Sequence, residues 1–94
     1  MLERDFQAKL VKDLKRLFPE AVVFKNDAKQ GMPDILMLCG EKWAALECKR
    51  TEGAPHQPNQ DWYVARLGAM GFSSFIYPEN RNQVIEELKG YFNC

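Results

Sequence analysis

The sequence predicts one α/β domain, in which helices flank a mixed sheet of about four strands in the order α-β-β-β-α-β-α. Two observations predict this class. Apolar residues recur at helical spacing near both ends of the chain, whereas short β-branched and aromatic runs lie between them. No repeat, low-complexity tract or Pro/Gly/Ser linker interrupts the 94 residues, so residues 1–94 are expected to form a single domain.

The first helix is predicted over residues 2–18, because its apolar residues share one helical face. They lie at spacings of four, four and three: Phe6, Leu10, Leu14 and Leu17. Pro19 ends the helix. A first strand is predicted over residues 21–24, and the polar, turn-forming segment 26–31 follows it.

Two apolar runs, residues 35–39 and 43–49, are predicted as the second and third strands. The gap between them is short enough for a hairpin turn, which favours antiparallel pairing. A second helix over residues 58–70 begins with a proline and ends before a glycine. Residues 72–77 form the fourth predicted strand, and residues 82–92 the last helix.

Composition narrows the class of protein but not its function. Thirteen Lys and Arg balance thirteen Asp and Glu, so net charge gives no argument for nucleic-acid binding. Cys39, Cys48 and Cys94 lack the even, short spacings of a disulfide framework or a zinc site, and are expected to be reduced thiols. The charged start of the chain and its short apolar runs predict a cytoplasmic protein with no membrane partner.

Three charged residues lie in or beside the apolar strands, where a charge is costly unless the site compensates it. Asp34 opens the second strand, and Glu47 and Lys49 lie two residues apart in the third. Period-two alternation puts Glu47 and Lys49 on one face of the sheet. Hairpin pairing would bring Asp34 alongside them, near one end of the sheet.

This constellation indicates metal-assisted hydrolysis of a phosphodiester. Two neighbouring carboxylates repel each other unless a cation or a proton lies between them. Oxygen ligands with open water positions suit Mg²⁺ or Mn²⁺. The ammonium of Lys49 would then polarise a water or stabilise charge developing on phosphorus. The alternative is that Pro33-Asp34 only opens a turn and that Glu47 and Lys49 form a surface ion pair.

The same residues resemble a known family. Gly-Met-Pro-Asp at 31–34 and Leu-Glu-Cys-Lys at 46–49 resemble the signature of the PD-(D/E)XK nuclease superfamily, and in particular of the VRR-NUC (virus-type replication-repair nuclease) domain. Pro-Asn-Gln at 58–60 resembles the Pro-x-Gln motif of that family, which leads into an aromatic residue and a Leu-x₃-Gly helix end. The resemblance spans roughly residues 3–77 and is closest to the stand-alone, phage-type domains.

The resemblance implies a restriction-endonuclease-like fold and a role for each matching residue. Asp34 and Glu47 would ligate Mg²⁺ or Mn²⁺, and the carbonyl of Cys48 would be a further ligand. Lys49 would be the catalytic lysine, and Gln60 would position water, metal or phosphate from the second helix.

Two positions are less regular matches to the family. Glu3 lies where the family carries an acidic residue near its N-terminus, and it would complete the acidic cluster; Asp5 competes with it for this role. Gln57 stands where such motifs usually carry a small hydroxyl residue, which weakens helix capping but not the chemistry.

Basic residues on either side of the motifs are expected to contact DNA phosphates without reading sequence. Lys25, Lys29 and Arg50 are these candidates, and a solvated turn is the alternative for each. His56, the lone histidine, is expected to be a solvated loop residue.

The leading hypothesis is a structure-selective DNA endonuclease, similar to Holliday-junction resolvases, that acts as a homodimer on branched DNA and uses no organic cofactor. Apolar residues of the second or last helix are the expected interface. A nuclease of flaps, nicks or general duplex DNA is one alternative. A catalytically silent nucleic-acid-binding module and a small structural protein are the others.

Overall fold

The computed structural model describes residues 1–27 and 29–93, and it confirms the predicted fold class and element order. The three helices are α1 (Glu3–Leu17), α2 (Gln60–Met70) and α3 (Arg81–Phe92). The four strands are β1 (Val22–Lys25), β2 (Ile35–Cys39), β3 (Lys42–Cys48) and β4 (Phe72–Ile76).

The strands form one mixed sheet in the order β1-β2-β3-β4. β1 pairs with β2, and β2 with β3, in antiparallel fashion, as the predicted hairpin requires. β4 runs parallel to β3, and α2 is the crossover that such a parallel connection needs. The register pairs Ile35 with Leu46, so the beginning of β2 lies beside the end of β3.

The core lies on the face of the sheet that α1 and α3 cover. Alternate residues of the strands point into it, as period-two geometry requires. The buried strand residues are Val23, Ile35, Met37, Cys39, Ala44, Leu46, Cys48 and Ile76. From the helices, the largest contributions are Phe6, Leu10, Leu14, Val84, Ile85, Leu88 and Phe92.

The opposite face of the sheet is only half covered. α2 packs over β3 and β4 there, yet none of its residues is buried, and Trp62 and Met70 are 61% and 62% exposed. On β1 and β2 the same face carries Val22, Phe24 and Leu38, which are all exposed. We call these three strand residues the open apolar face.

All elements but β2 differ from their predicted bounds by one or two residues, and two of these differences have a clear physical cause. α2 begins at Gln60 rather than at residue 58, because Asn59 adopts the left-handed conformation with φ 73°. β4 ends at Ile76 rather than at Tyr77, whose backbone N–H donates to Oδ1 of Asn80 instead of continuing the ladder.

The expectation of reduced cysteines is wrong for Cys39, which is disulfide-bonded. Sequence spacing does not reveal which cysteines meet in space, and that is why the prediction fails. Cys48 is a free, buried cysteine, and Cys94 lies outside the described residues. Within the described part of the chain, no helix is long and apolar enough to cross a membrane.

Candidate active site

Asp34 and Glu47 lie together at one end of the sheet. Ile35 of β2 and Leu46 of β3 are register partners. Asp34 precedes Ile35 and Glu47 follows Leu46, so antiparallel geometry sets the two carboxyl groups opposite each other. Oδ2 of Asp34 accepts a hydrogen bond of 2.9 Å from the backbone N–H of Cys48, which anchors the carboxylate to the end of β3.

The turn before Asp34 fits closely against the beginning of α2. Gly31 has φ +89°, and a Cβ there would lie 2.9 Å from Cβ of Asn59, so only glycine suits this position. The backbone N–H of Asn26 donates to the carbonyl of Asp34 at 2.7 Å, which ties the two ends of the turn together.

Glu47 is a buried carboxyl with an unmet hydrogen-bonding capacity. It is 1% exposed; Oε2 accepts a bond of 3.1 Å from Nε2 of Gln60, while Oε1 has no hydrogen-bond donor among the described residues. Burial, followed by the neighbouring Asp34 carboxyl, raises the pKa of Glu47 to about 9. In the absence of a cation, both causes favour the neutral form of the Glu47 carboxyl.

Lys49 is buried immediately after β3, with 3% of its surface exposed. Its Nζ donates to Oε1 of Gln60 at 2.6 Å and to the carbonyl of Pro55 at 3.1 Å. Among the described residues Lys49 forms no direct ion pair, although its positive charge lowers the pKa of Glu47. The amide of Gln60 lies between the ammonium and the carboxyl.

Gln60 begins α2, and its amide orientation is fixed by three hydrogen bonds. Besides its bonds to Lys49 and Glu47, Oε1 accepts a bond of 2.8 Å from the backbone N–H of Gln57. The backbone N–H of Gln60 also donates to the carbonyl of Gln57 at 3.2 Å, so the two residues close the turn that leads into α2. The same side chain thus fixes this turn and joins the two buried charged groups.

Glu3 lies in the first turn of α1 and is half-buried. It is close enough to Glu47 for its charge to raise the pKa of that carboxyl further, whereas the exposed Asp5 has no such effect. In the described part of the chain, no three His, Cys, Asp or Glu side chains are arranged to hold a metal ion. A metal site here would depend on two carboxylates, Asp34 and Glu47.

A site with only two carboxylates suits a cation that keeps most of its water ligands better than a cation whose ligands all come from the protein. Mg²⁺ keeps several waters and binds through one or two carboxylates together with substrate phosphates. Oε1 of Glu47 has no hydrogen-bond donor among the described residues, and the nearby Asp34 carboxyl raises the pKa of Glu47, so the place between the two carboxyl groups favours positive charge. The residues present therefore fit a divalent cation.

The three basic residues that were expected to contact DNA are all exposed, and they differ in their position relative to the carboxylates. Lys25 is near enough to Cys48 for its charge to lower the pKa of the thiol, while Arg50 directly follows Lys49. Lys29 lies in the turn that packs against α2 through Gly31.

Sequence reasoning missed two contacts made by the loop that precedes α2. The carbonyl of Pro55 accepts a bond from Lys49, and no sequence pattern identifies a backbone acceptor of this kind. His56 is an exposed loop residue, as expected, but its ring also stacks on Phe75 with ring centroids 4.1 Å apart, a contact that was not predicted. Aromatic neighbours that are distant in sequence leave no local signal.

The chain matches no protein-family model, no curated protein and no solved structure. What the site does is therefore inferred from its residues and their geometry.

Proposed function

We propose that this chain is a Mg²⁺- or Mn²⁺-dependent DNA endonuclease that hydrolyses phosphodiester bonds, as a member of the VRR-NUC group. The observation that carries the proposal is the pair of buried charged groups, Glu47 and Lys49, joined by the amide of Gln60. Burying a carboxylate and an ammonium costs several kcal/mol per ion, about the scale of a domain's whole stability, so two such groups side by side are candidates for a functional site.

Asp34 and Glu47 are the side chains that would hold the cation, together with the carbonyl of Cys48. When bound, a divalent cation neutralises phosphate charge and lowers the pKa of a coordinated water. Lys49 would hold an attacking water or stabilise charge on the scissile phosphate, since two of its three N–H groups are bonded and the third has no acceptor among the described residues.

Gln60 and Glu3 would have supporting roles. Gln60 keeps Lys49 and Glu47 at a fixed separation, so that its own contribution is orientation rather than proton transfer. Glu3 adds negative charge beside the carboxylates and would bind the cation's water shell. Lys25, Lys29 and Arg50 are exposed cations suited to phosphate contacts on either side of the site.

We propose a homodimer, in which a second copy covers the open apolar face. The last helix is a poor candidate for an interface, because its apolar side chains are buried in the core of its own chain. Val22 and Leu38 are register partners on β1 and β2, and both are exposed. Interfaces bury about 800 Å² per partner around an apolar centre; Val22, Phe24 and Leu38, with Trp62 and Met70 on α2, supply such a centre.

A two-fold dimer of this kind favours branched DNA as the substrate. Glu47 points to the same side of the sheet as the open apolar face, since Leu46 and Cys48 on either side of it point to the core. Two sites would then lie on neighbouring surfaces of the dimer, which suits a four-way junction with two scissile strands. Flaps, nicks and general duplex DNA are the alternative substrates.

The test is cleavage of a labelled four-way junction, a flap and a linear duplex in Mg²⁺, in Mn²⁺ and in EDTA. Glu47→Gln is the matched control, because it keeps the shape of the protonated side chain and removes the ligand charge. Paired, metal-dependent cuts confined to the junction are expected, and Glu47→Gln should abolish them. Equal cutting of all three substrates would remove the junction preference.

Absence of cutting with either metal, by protein that is folded, would contradict the nuclease proposal. DNA binding in EDTA would then favour the silent binding module. A chain that binds neither metal nor DNA would instead be a structural protein.

A further inference from the structure

His56 is held from two sides by elements that are distant in sequence. Its Nδ1 lies 2.7 Å from Oδ1 of Asp61 in the first turn of α2. Its ring is stacked on Phe75 of β4, with centroids 4.1 Å apart and planes inclined by 18°. His56 is exposed, yet its ring is in contact with both α2 and β4, and these two contacts favour one position of the ring.

The two sequence neighbours of His56 both bond to the groups of the proposed active site. The carbonyl of Pro55 accepts from Nζ of Lys49 at 3.1 Å. The backbone N–H of Gln57 donates to Oε1 of Gln60 at 2.8 Å, and that oxygen also accepts from Lys49. One acceptor of the buried ammonium, the Pro55 carbonyl, therefore belongs to the loop next to His56. The other, Oε1 of Gln60, is hydrogen-bonded to that loop through Gln57.

The position of Lys49 depends on these acceptors more than on its own side chain. A lysine carries its charge on a flexible four-carbon stem with rotatable donors, so its hydrogen-bond partners decide where the ammonium lies. If the loop moved, the Pro55 carbonyl would move with it, and the Gln57 bond that orients Gln60 would weaken.

We propose that His56 is a positioning residue for Lys49. Its stacking on Phe75 and its bond to Asp61 hold the loop that fixes the ammonium, so His56 acts on the reaction without touching the substrate. The importance of this position for cleavage rests on the proposed nuclease function. The effect on Lys49 itself does not, and it can be measured separately.

The measurement independent of activity is acetylation of lysine by acetic anhydride, followed by mass spectrometry. Lys49 should react slowly in the wild type because it is 3% exposed and doubly bonded. In His56→Ala we expect Lys49 to react about five- to thirtyfold faster, the range that loss of one aromatic contact and one ion pair predicts. Lys15, exposed in the last turn of α1, is the internal reference and should react at an unchanged rate.

Two further variants separate the contacts and guard against misfolding. His56→Phe keeps the ring on Phe75 and loses the bond to Asp61, while Asp61→Ala removes only the partner of that bond. Both should accelerate the reaction of Lys49 less than His56→Ala does. Glu86→Ala, which removes an equivalent surface ion pair on α3, should have no effect on Lys49.

The kinetic measurement separates the effect of a substitution on kcat from its effect on KM. We expect His56→Ala to lower kcat about tenfold, as a misplaced catalytic group does, with KM within about twofold of the wild type. A raised KM with unchanged kcat would mean that His56 contacts the substrate directly, and would overturn the positioning role. Unchanged reactivity of Lys49 in both His56 variants would overturn it as well. Faster acetylation in a protein that cuts no DNA would leave the positioning role intact and contradict the nuclease proposal alone.

Discussion

Oε1 of Gln60 lies 2.6 Å from Nζ of Lys49, and this contact joins the first turn of α2 to the end of β3. The same amide donates from Nε2 to Oε2 of Glu47 at 3.1 Å. One uncharged side chain thus satisfies both a buried cation and a buried carboxyl. An amide can do this in one orientation only, because its oxygen must meet the donor and its nitrogen the acceptor.

Gln60→Ala should therefore reduce both stability and activity. It leaves the buried Nζ of Lys49 and Oε2 of Glu47 each short of a partner, a cost of about 1–3 kcal/mol. We expect the free energy of unfolding in urea to fall by that amount, and cleavage to slow about tenfold to a hundredfold. Gln57→Ala is the matched control, because the hydrogen bonds of Gln57 to Gln60 come from its backbone, which the substitution keeps. Equal losses in the two variants would show that the amide contacts are unimportant.

The proximity of Asp34 and Glu47 could be predicted from sequence, because it needs only local rules. A short turn predicts a hairpin, and the hairpin sets the residue before β2 opposite the end of β3. The contact between Lys49 and Gln60 needs more than local rules. Its donor and acceptor are separated by a loop whose path depends on the left-handed Asn59 and on the stacking of His56 over Phe75.

The half-covered sheet also escaped prediction, for a related reason. Alternation shows which residues share a face of a strand, but it does not show which faces are covered by helices. Leu38 lies in an apolar run that is typical of a buried strand. Its side chain is nevertheless exposed, because α2 packs over β3 and β4 and leaves β2 uncovered. Similarly, nothing in the spacing of Cys39 predicts that it is disulfide-bonded.

Gly71→Ala should destabilise the domain through one steric contact. A Cβ at Gly71 would lie 2.8 Å from Cζ2 of Trp43, and its φ of −161° is extended backbone, so the indole rather than the backbone is the obstacle. Overpacking of this kind costs about 1–3 kcal/mol, which lowers the Tm of a domain this small by about 4–8 °C per kcal/mol. Thermal unfolding followed by tryptophan fluorescence measures it.

Gly90→Ala is the matched control for that steric effect. Gly90 lies inside α3. Apart from the adjoining residues and the backbone of the helix itself, a Cβ at Gly90 would have no heavy atom of the described residues within 4 Å. Alanine is the better helix former by about 1 kcal/mol, so this variant should raise the Tm. A Gly71→Ala protein that melts at the wild-type temperature would contradict the packing of Trp43 described above.

Asp13 should give the domain a stability that is lost in acid. Oδ2 accepts a bond of 2.7 Å from Arg81, which ties α1 to α3. Burial raises the pKa of Asp13, but the bond and charge of Arg81, with Arg16 beside it, outweigh this and lower the pKa below 3.8. Because the folded-state pKa lies below the unfolded one, the stabilisation is present above that value and disappears as the pH falls through the folded-state pKa.

Asp13→Asn should accordingly be less stable than the wild type at pH 7 by about 1 kcal/mol. The difference should be smaller at an acid pH, because the wild-type carboxyl becomes protonated as the pH falls through the lowered folded-state pKa of Asp13. Urea unfolding followed by circular dichroism at both pH values measures it. A difference that stays the same at the two pH values would mean that Asp13 acts through its packing and not through its charge.

Leu38→Glu should separate the proposed dimer into monomers without unfolding either chain. Leu38 is 45% exposed and pairs with exposed Val22, so a carboxylate there remains in water in the monomer but would be buried at the dimer interface. An unpaired charge at the centre of an interface costs about 2–5 kcal/mol, a loss of roughly 30-fold to several thousandfold in dimer affinity. Light scattering during size-exclusion chromatography measures the mass of each species.

Lys12→Glu reverses a charge on the exposed side of α1, far from the open apolar face, and should leave the dimer intact. If Leu38→Glu and the wild type elute with the same mass, the open apolar face is not the interface. A monomeric Leu38→Glu protein should still cut single phosphodiesters, because Asp34, Glu47 and Lys49 come from one chain. What it should lose is the pairing of the two cuts across a junction, since that requires both sites in one particle.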